Sequence, residues 1–502
     1  MAAEDMREIE RKYDVDESTT VPDLRSLAGV ASVDLPEVNE LEAVYFDTET
    51  LSLAGEHITL RRRTGGDDAG WHLKLPIAAD ERSELHEPLE CDPQRIPDRF
   101  RRLVAVHVRG HALLPVVRLR NHRTVVRLRA DDDRILALFC DDVVNSERLG
   151  PDPLPQSWRE WEVELVDATG SFLAAADRMF RTVDVWPSTS SSKLARALGG
   201  RAPQRAAPMT TPGSAGDLLM AALRQYRAGL VSQDPLVRDE QPEAVHRMRI
   251  AIATLRSAFV TFGGLLSGQS IPALRSDLGW LAAILGASRD LHILSARLDA
   301  LLRAEPPDMV VGPIGSTIRN QLLAESAAEQ SAMLQALDSE RYFRLLDALD
   351  DLIASPTLTE EASAPAKTVL PGMIDRRIVK LRRAVRAAKR TTAGDPHERA
   401  LHDVRKAAKK VRYSEELALP IAPKRAKRLA AAAKSLQEVL GEHHDSIVAQ
   451  STLLRLSGMA HNLGENTFSY GRLHAREQAR STRAEARYDR LLRRSPKRFT
   501  GR

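Results

Sequence analysis

The feature that most constrains this chain is a change of hydrophobic period near residue 217. Before it, short segments alternate in twos, over residues 8–15, 43–47, 58–63, 71–75, 116–120, 125–129, 135–140 and 161–166. That alternation gives a strand two chemically different faces. Residues 22–27 and 97–106 are expected helical exceptions, and the Gly/Asp-rich stretch 65–70 reads as a hairpin turn. After residue 217, Ala/Leu/Arg-rich segments repeat at three and four, which is helical spacing. A chain of 502 residues is also too long for one ordinary core. The expectation is an α+β protein with a strand-built domain over residues 6–198 and an all-helical domain over 217–495. Residues 199–216, rich in Pro, Gly and Ala without an apolar period, read as the linker.

Charge divides at the same place. Residues 1–216 carry 28 Lys+Arg and 37 Asp+Glu, whereas residues 217–502 carry 45 and 32. Residues 375–434 alone hold 19 and 6, which equals the whole positive excess of the second half. A basic half of this kind attracts polyanions. The helical half also repeats internally. His246, Arg249 and Arg256 recur as His402, Arg405 and Arg412, and Leu285-Gly286 with Asp290 recurs as Leu440-Gly441 with Asp445. Ordered matches argue for two copies of one helical unit. The Pro-rich break over residues 355–372 separates lobes at about 217–354 and 373–495.

In the first half, charges of one sign share strand faces. Glu8, Glu10 and Lys12 lie on one face of the first strand, and Glu162 and Glu164 on one face of the last. Arg61 with Arg63, and Arg118 with Arg120, do the same between them, and Lys74 stands among apolar neighbours. A solvated face would mix signs. In a closed sheet the first and last strands are neighbours, so the acidic pairs would converge with the basic pairs opposite. Clustered carboxylates need a cation, and oxygen-only ligands suit Mg²⁺ or Mn²⁺. Guanidinium groups grip phosphate oxygens. Together they describe a triphosphate site.

Glu8-Ile9-Glu10-Arg11-Lys12 matches the ExExK signature of the CYTH, or triphosphate tunnel metalloenzyme, superfamily. Arg61 with Arg63, His72 to Pro76, Arg82 with Glu84, Arg118, Arg120 and Arg123, Asp141 (Asp142 being the next choice), Glu162 with Glu164, and Ser192-Lys193 with Arg196-Ala197-Leu198 resemble the family's later elements in order. The resemblance implies an eight-stranded antiparallel tunnel that hydrolyses tripolyphosphate, nucleoside triphosphates or thiamine triphosphate, or cyclises ATP. It would make Glu8, Glu10, Asp141, Glu162 and Glu164 metal ligands. Arg61, Arg63, Arg118, Arg120 and Lys193 would bind substrate, and Lys12, Lys74 and Glu84 would serve catalysis, Glu84 by orienting Lys74 or water.

The helical half resembles the CHAD domain through Val245 to Arg249, Leu401 to Lys406, and the Leu285…Asp290 and Leu440…Asp445 elements. That resemblance implies two four-helix lobes around a basic groove that binds inorganic polyphosphate through His246, Arg249, Arg256, His402, Arg405, Lys406, Lys409 and Arg412. The sequence departs from the family at Ala253 and Thr254, where arginines are common, and at His292, where an acid is common. Residues 217–374 carry 14 Lys+Arg against 19 Asp+Glu, so the second lobe is expected to dominate binding.

The leading expectation is therefore a metal-dependent inorganic triphosphatase joined to a polyphosphate-binding domain. The alternatives are a thiamine- or nucleoside-triphosphatase, an adenylate cyclase, or a non-catalytic polyphosphate-binding or targeting protein. Nucleic acid is a less favoured partner, and P-loop and dinucleotide fingerprints are missing. Cys91 and Cys140 are the sole cysteines, which argues against a disulfide framework. A polar N-terminus and no run near ~20 uninterrupted apolar residues point to the cytoplasm, with no membrane partner, and the CHAD resemblance adds an association with polyphosphate granules.

Overall fold

The computed structural model describes residues 5–78, 81–89, 92, 94–150, 153–201, 203, 210–241, 243–391 and 394–494. Residues 202 and 204–209 of the expected linker, residue 495 and Cys91 lie outside these. The chain divides into two compact units, Met1–Arg205 and Ala206–Arg502.

In the first unit the strands are β1 (Asp5–Val15), β2 (Ser32–Val33), β3 (Glu37–Asp47), β4 (Thr59–Thr64), β5 (Gly70–Ala78), β6 (Glu81–Glu87), β7 (Leu114–Arg129), β8 (Ile135–Arg148), β9 (Pro155–Leu165) and β10 (Trp186–Pro187). The order β1-β6-β5-β4-β3-β7-β8-β9 closes on itself, because β1 also pairs with β9, and every pairing is antiparallel. The short β2 and β10 attach to β7 and β1. Closure leaves no unpaired edge in the ring. The β4–β5 turn depends on glycine. Gly65 has φ +81°, and a Cβ there would lie 2.1 Å from the Glu40 carbonyl oxygen.

The strand faces are sorted inside out relative to an ordinary barrel. Apolar side chains face outward and are covered by two helices, α1 (Asp98–Val108) and α2 (Gly170–Arg181). Phe100, Leu103 and Val104 of α1 pack on Leu60, Trp71 and Leu73. Phe172, Leu173 and Phe180 of α2 pack on Tyr13, Phe139, Trp161 and Val163. The Phe180 ring meets Tyr13 edge-on at 4.7 Å and Trp161 at 5.2 Å between centroids. Asp177 of α2 accepts from the Tyr13 hydroxyl at 2.8 Å and pairs with Arg11 at 2.6 Å. With hydrophobic burial supplied outside, the interior is free to hold charge.

Helix α3 (Lys193–Leu198) is capped by the Ser192 hydroxyl, which accepts from the Ala195 amide at 3.0 Å. Its Leu194, Ala197 and Leu198 pack against the inward residues Tyr45, Leu119 and Val144, filling one part of the barrel interior with apolar contacts. Several local expectations are revised. Residues 116–129 form one continuous strand, because residues 121–124 keep their pairing with both β3 and β8. Residues 22–27 contain only a 3-10 turn at Leu24–Ser26. β6 and α2 were not expected.

The second unit is helical: α4 (Ala215–Arg238), α5 (Ala244–Phe262), α6 (Ser270–Arg303), α7 (Ile314–Leu337), α8 (Glu340–Ala354), the short α9 (Glu360–Ser363), α10 (Ala366–Ala388), α11 (Gly394–Leu417), α12 (Pro423–Asn462) and α13 (Phe468–Arg494). Within each lobe consecutive helices pack in series, and across the lobes α4 meets α10, α5 meets α11 and α6 meets α12. These three helices thus each touch their own repeat counterpart, as in a two-fold interface. The long α6 and α12 continue beyond that seam into a shared cluster with α7 and α13, including Leu298, Ile318, Leu453 and Tyr470. Among the described residues, Ala244–Leu265 is long and apolar enough to cross a membrane. Most of that window (61%) is buried within the unit, and the segment carries His246, Arg249 and Arg256, so it reads as a core helix.

Phe180→Ala tests the outer core. It should destabilise the first unit by about 3–5 kcal/mol, measured by chemical denaturation against the unaltered chain.

Candidate active-site tunnel and basic groove

The barrel interior encloses a cavity of about 330 Å³. Register fixes who faces whom. Glu10 is opposite Glu164, and Lys12 is opposite Glu162, on the neighbouring strands β1 and β9. Glu8, Glu10, Glu162 and Glu164 therefore meet in one cavity with Lys12, Arg61, Arg63, Lys74, Glu84 and Lys193. Lys74 lies 2.5 Å from Glu8 and 3.2 Å from Glu84, and His72 Nδ1 lies 2.9 Å from Glu84. Burial works against the charge on Glu84, but Lys74, His72 and Arg61 more than offset it and hold its pKa below the ordinary range. Lys12 pairs with Glu10 at 2.9 Å and also with Glu162.

Three buried carboxylates, Asp142, Glu160 and Glu162, present oxygens within 4.8 Å of one another, close enough to share an ion. In this structure the ion they share is the Lys193 ammonium, at 2.8, 2.8 and 2.7 Å respectively. Arg123 adds a bidentate contact to Asp142 at 2.8 and 2.6 Å and also reaches Glu162. Burial pushes the Glu162 pKa up, and Lys12, Lys193 and Arg123 together drive it well below its usual value.

The opposite situation holds at Glu164. It makes no ion pair or hydrogen bond among the described residues. Burial, then the nearby Glu8 charge, raises its pKa to about 7. Glu8, Glu10 and Glu164 form a set of inward oxygens whose negative charge is incompletely balanced. Such a set fits a hard divalent cation, which takes carboxylate oxygens together with substrate phosphate.

Three expected site residues lie elsewhere. Arg118 and Arg120 project from the outer face of β7, where Arg118 meets Glu147 at 3.3 Å and Arg120 meets Glu42 at 3.1 Å. Asp141 is also outside, clamped by Arg159 at 2.6 Å. The cause is strand parity. Val126 and Leu128 share the even-numbered face of β7 with Arg118 and Arg120, and that face carries the packing against α2. The inward positions are instead Asn121, Arg123 and Arg127 on β7 and Asp142 on β8. Arg82 from β6 joins them. The signal available in the sequence was the apolar pair Val126 and Leu128, which marks the opposite face as the lumen.

In the helical unit a groove of about 410 Å³ runs between α5, α6, α11 and α12. Of the expected residues, His246, Arg249, Arg405, Lys409 and Arg412 line it. Arg256 does not; it borders a separate cavity with Arg275. His402 sits behind the groove, its ring 4.8 Å from that of His444, with Nδ1 buried and lacking a hydrogen bond. Lys406 is exposed and outside the lining. On α11 the stripe facing the groove is 405, 409 and 412, and Lys406 is rotated about 100° from Arg405. Arg297 and Lys434 were missed, and Arg289 was noted only as part of the Leu285…Asp290 element, without a binding role. Each is an isolated cation on a long helix without local patterning. Arg297 is held by Glu477, fully buried on α13, at 2.6 Å. Arg249 is oriented by Asp290 at 3.0 Å.

The fold and cavities define a charge-lined β tunnel in the first unit and a basic helical groove in the second. Residues 6–179 match the CYTH domain family and residues 221–454 match the CHAD domain family. Two uncharacterized proteins of Mycobacterium tuberculosis (strains CDC 1551 / Oshkosh and ATCC 25618 / H37Rv) are each 36% identical over 512 residues, spanning 98% of this chain and 96% of theirs. Among solved structures, PptA from Streptomyces chartreusis is similar at 22% identity and TM-score 0.46, covering 56% of this chain and 99% of its own. The CHAD domain from the plant Ricinus communis is similar at 25% identity and TM-score 0.46, covering 59% and 97%. The chain belongs to the CYTH-CHAD family, in which a CYTH domain precedes a CHAD domain.

Lys193→Ala tests the lysine-filled acidic trio. Three buried carboxylates would lose their shared cation, costing about 3–5 kcal/mol. Asp142 and Glu162, whose pKa values Lys193 helps to hold down, would then protonate more readily, so the variant should regain stability as pH falls, or on adding Mn²⁺. Thermal denaturation across pH, with and without the ion, reads this directly.

Proposed function

We propose that the first unit is a metal-dependent inorganic triphosphatase acting on tripolyphosphate, and that the second unit holds long-chain polyphosphate. The observation that carries the enzymatic reading is one cavity with a carboxylate wall at Glu8, Glu10 and Glu164 and a cationic wall at Arg61, Arg63 and Arg123. Glu8, Glu10 and Glu164 would hold Mg²⁺ or Mn²⁺, whose charge favours attack at the phosphoryl group. Glu162, saturated by Lys12, Lys193 and Arg123, serves better as the anchor of those cations than as a ligand.

Arg61, Arg63 and Arg123 then grip phosphate oxygens. Burial, with Arg61 and Arg123 close by, pulls the Arg63 pKa down to about 9, a crowding of like charge that an anion relieves. Lys74 is aimed by Glu84 and Glu8 so that its ammonium neutralises charge on the transferring group. Tyr45 is the one aromatic ring among the described lining residues. With that ring buried and its hydroxyl bonded to Arg61, a nucleobase finds no open stacking platform there, which favours inorganic triphosphate over ATP.

The groove supports the second half of the proposal. Seven Arg and Lys side chains line it against two carboxylates, Asp290 and Asp445. A concave excess of that size favours a flexible polyanion. A soluble cytoplasmic setting, with polyphosphate granules as the site of action, suits both activities.

Two measurements test the reading. Orthophosphate release from tripolyphosphate should require Mg²⁺ or Mn²⁺ and stop with chelator. Glu8→Ala with Glu10→Ala should lower turnover at least ~100-fold while polyphosphate binding is unchanged. Retained turnover in that variant would falsify the metal-site assignment, and pyrophosphate release from ATP would favour cyclisation instead.

Polyphosphate binding should also depend on pH. Burial, then Arg289 for His246 and Arg405 for His444, holds these imidazoles below their ordinary pKa. A bound anion favours the protonated forms, so affinity should strengthen as pH falls below about 6.5. Anisotropy of labelled polyphosphate across pH checks this, and His246→Asn with His444→Asn should flatten the profile.

A further inference from the structure

Lys409 has no part in holding the helices together that the structure reveals. It sits on α11 at the middle of the groove, half-buried, and makes no ion pair among the described residues. Its ammonium lies 5.9 Å from the Tyr413 ring centroid, and the Arg412 guanidinium lies 5.2 Å from the same ring. Cations flank it on its own helix and across the groove. Arg249 and Arg256 approach from α5, and Arg405 and Arg412 flank it on α11. Arg289 and Arg297 line the groove from α6, and Lys434 with His444 from α12. The carboxylates in the lining are Asp290, engaged by Arg249, and Asp445.

Such a place does two things to an amine. Burial first, and then Arg249 and the other guanidinium groups, pulls the Lys409 pKa down to about 8, so near neutrality much more of it is unprotonated than of an ordinary lysine. The same guanidinium groups bind phosphate and concentrate any small molecule that carries one. An unprotonated amine beside a phosphate cradle is the arrangement an acyl phosphate requires of a nucleophile.

We propose that Lys409 is a site of non-enzymatic acylation by acyl phosphates, and that its acylation weakens polyanion binding in the groove. The Nζ lone pair forms a bond to the acyl carbon, and the bond from that carbon to the bridging phosphate oxygen breaks. Inorganic phosphate leaves with the bonding pair and takes up the proton shed by nitrogen. No electron donor or acceptor is needed. The product amide carries no charge, so the groove loses a central cation and gains bulk. This rests on the groove as an anion site and is independent of the tunnel.

The test uses the full chain and acetyl phosphate. After timed incubation, digestion and mass spectrometry give the acetylation rate at each lysine. Lys409 should react about tenfold or more faster than the exposed Lys424 and Lys427, with the rate rising between about pH 7 and 9. Acetic anhydride, which lacks a phosphate, should show a smaller preference, and long-chain polyphosphate should protect Lys409 selectively. The acetylated protein should bind polyphosphate more weakly than before treatment, whereas Lys409→Arg, whatever its starting affinity, should bind as well after the same treatment as before it. A Lys409 rate no greater than that of the exposed lysines, or an equal preference with both reagents, overturns the proposal. Binding of polyphosphate by the untreated chain is measured alongside, so failure of the groove reading is seen separately from failure of acylation.

Discussion

The pairing of β1 with β9 is the constraint on which the first unit depends. It joins the two ends of the sheet, and it sets Glu10 against Glu164 and Lys12 against Glu162. A slip of β1 by one residue would turn Glu10 and Lys12 to the outside and bring Arg11 and Tyr13 into the lumen. That slip is opposed by α2, whose Phe180 and Asp177 fit Tyr13, Trp161 and Arg11 in only one register. The hydrophobic packing outside therefore fixes the charge arrangement inside. The polar interior contributes little net stability of its own, since burying ions costs solvation that pairing only partly returns.

Much of this was readable in the sequence, and the failures are instructive. The change of period near residue 217, the acidic pairs on the first and last strands, and the repeated His/Arg helices all rest on local spacing, which the fold preserves. Arg118, Arg120 and Asp141 failed because charge alone does not say which face of a strand is the lumen. When a tunnel is polar and its exterior apolar, the apolar residues decide, and on β7 these were Val126 and Leu128. Glu160 went unassigned, and Asp142 stood only second to Asp141, for a related reason. Their role depends on Lys193 arriving from a helix late in the unit, a contact that no strand pattern encodes. In the helical unit, α6 and α12 supply Arg289, Arg297 and Lys434 as single cations amid apolar turns, and only the assembled groove makes them a group.

The two units illustrate different ways of keeping like charges together. In the tunnel, carboxylates and cations are interleaved at hydrogen-bond distance, and most buried charges there have a partner. Glu164 is the described exception, and its carboxyl is correspondingly reluctant to ionise. In the groove Arg249, Arg289, Arg297, Arg412 and Lys434 keep carboxylate partners, while Arg405 and Lys409 have none among the described residues, and the crowding shows as lowered pKa values at Lys409 and the nearby histidines. The first arrangement suits a small ligand that must be oriented atom by atom. The second suits a long, interchangeable chain that needs attraction more than placement.

The contact of α5 with α11 and of α6 with α12, each its own repeat counterpart, has a further consequence. The part of the groove lined by the matched pairs, Arg249 with Arg405 and Asp290 with Asp445, reads much the same from either end. It gives a threading polymer little reason to prefer one heading over the other. A nucleic acid strand has a sense of direction and would meet such a lining unequally along its length. A chain of identical phosphate links has no heading to lose, so it could enter by either mouth and slide link by link.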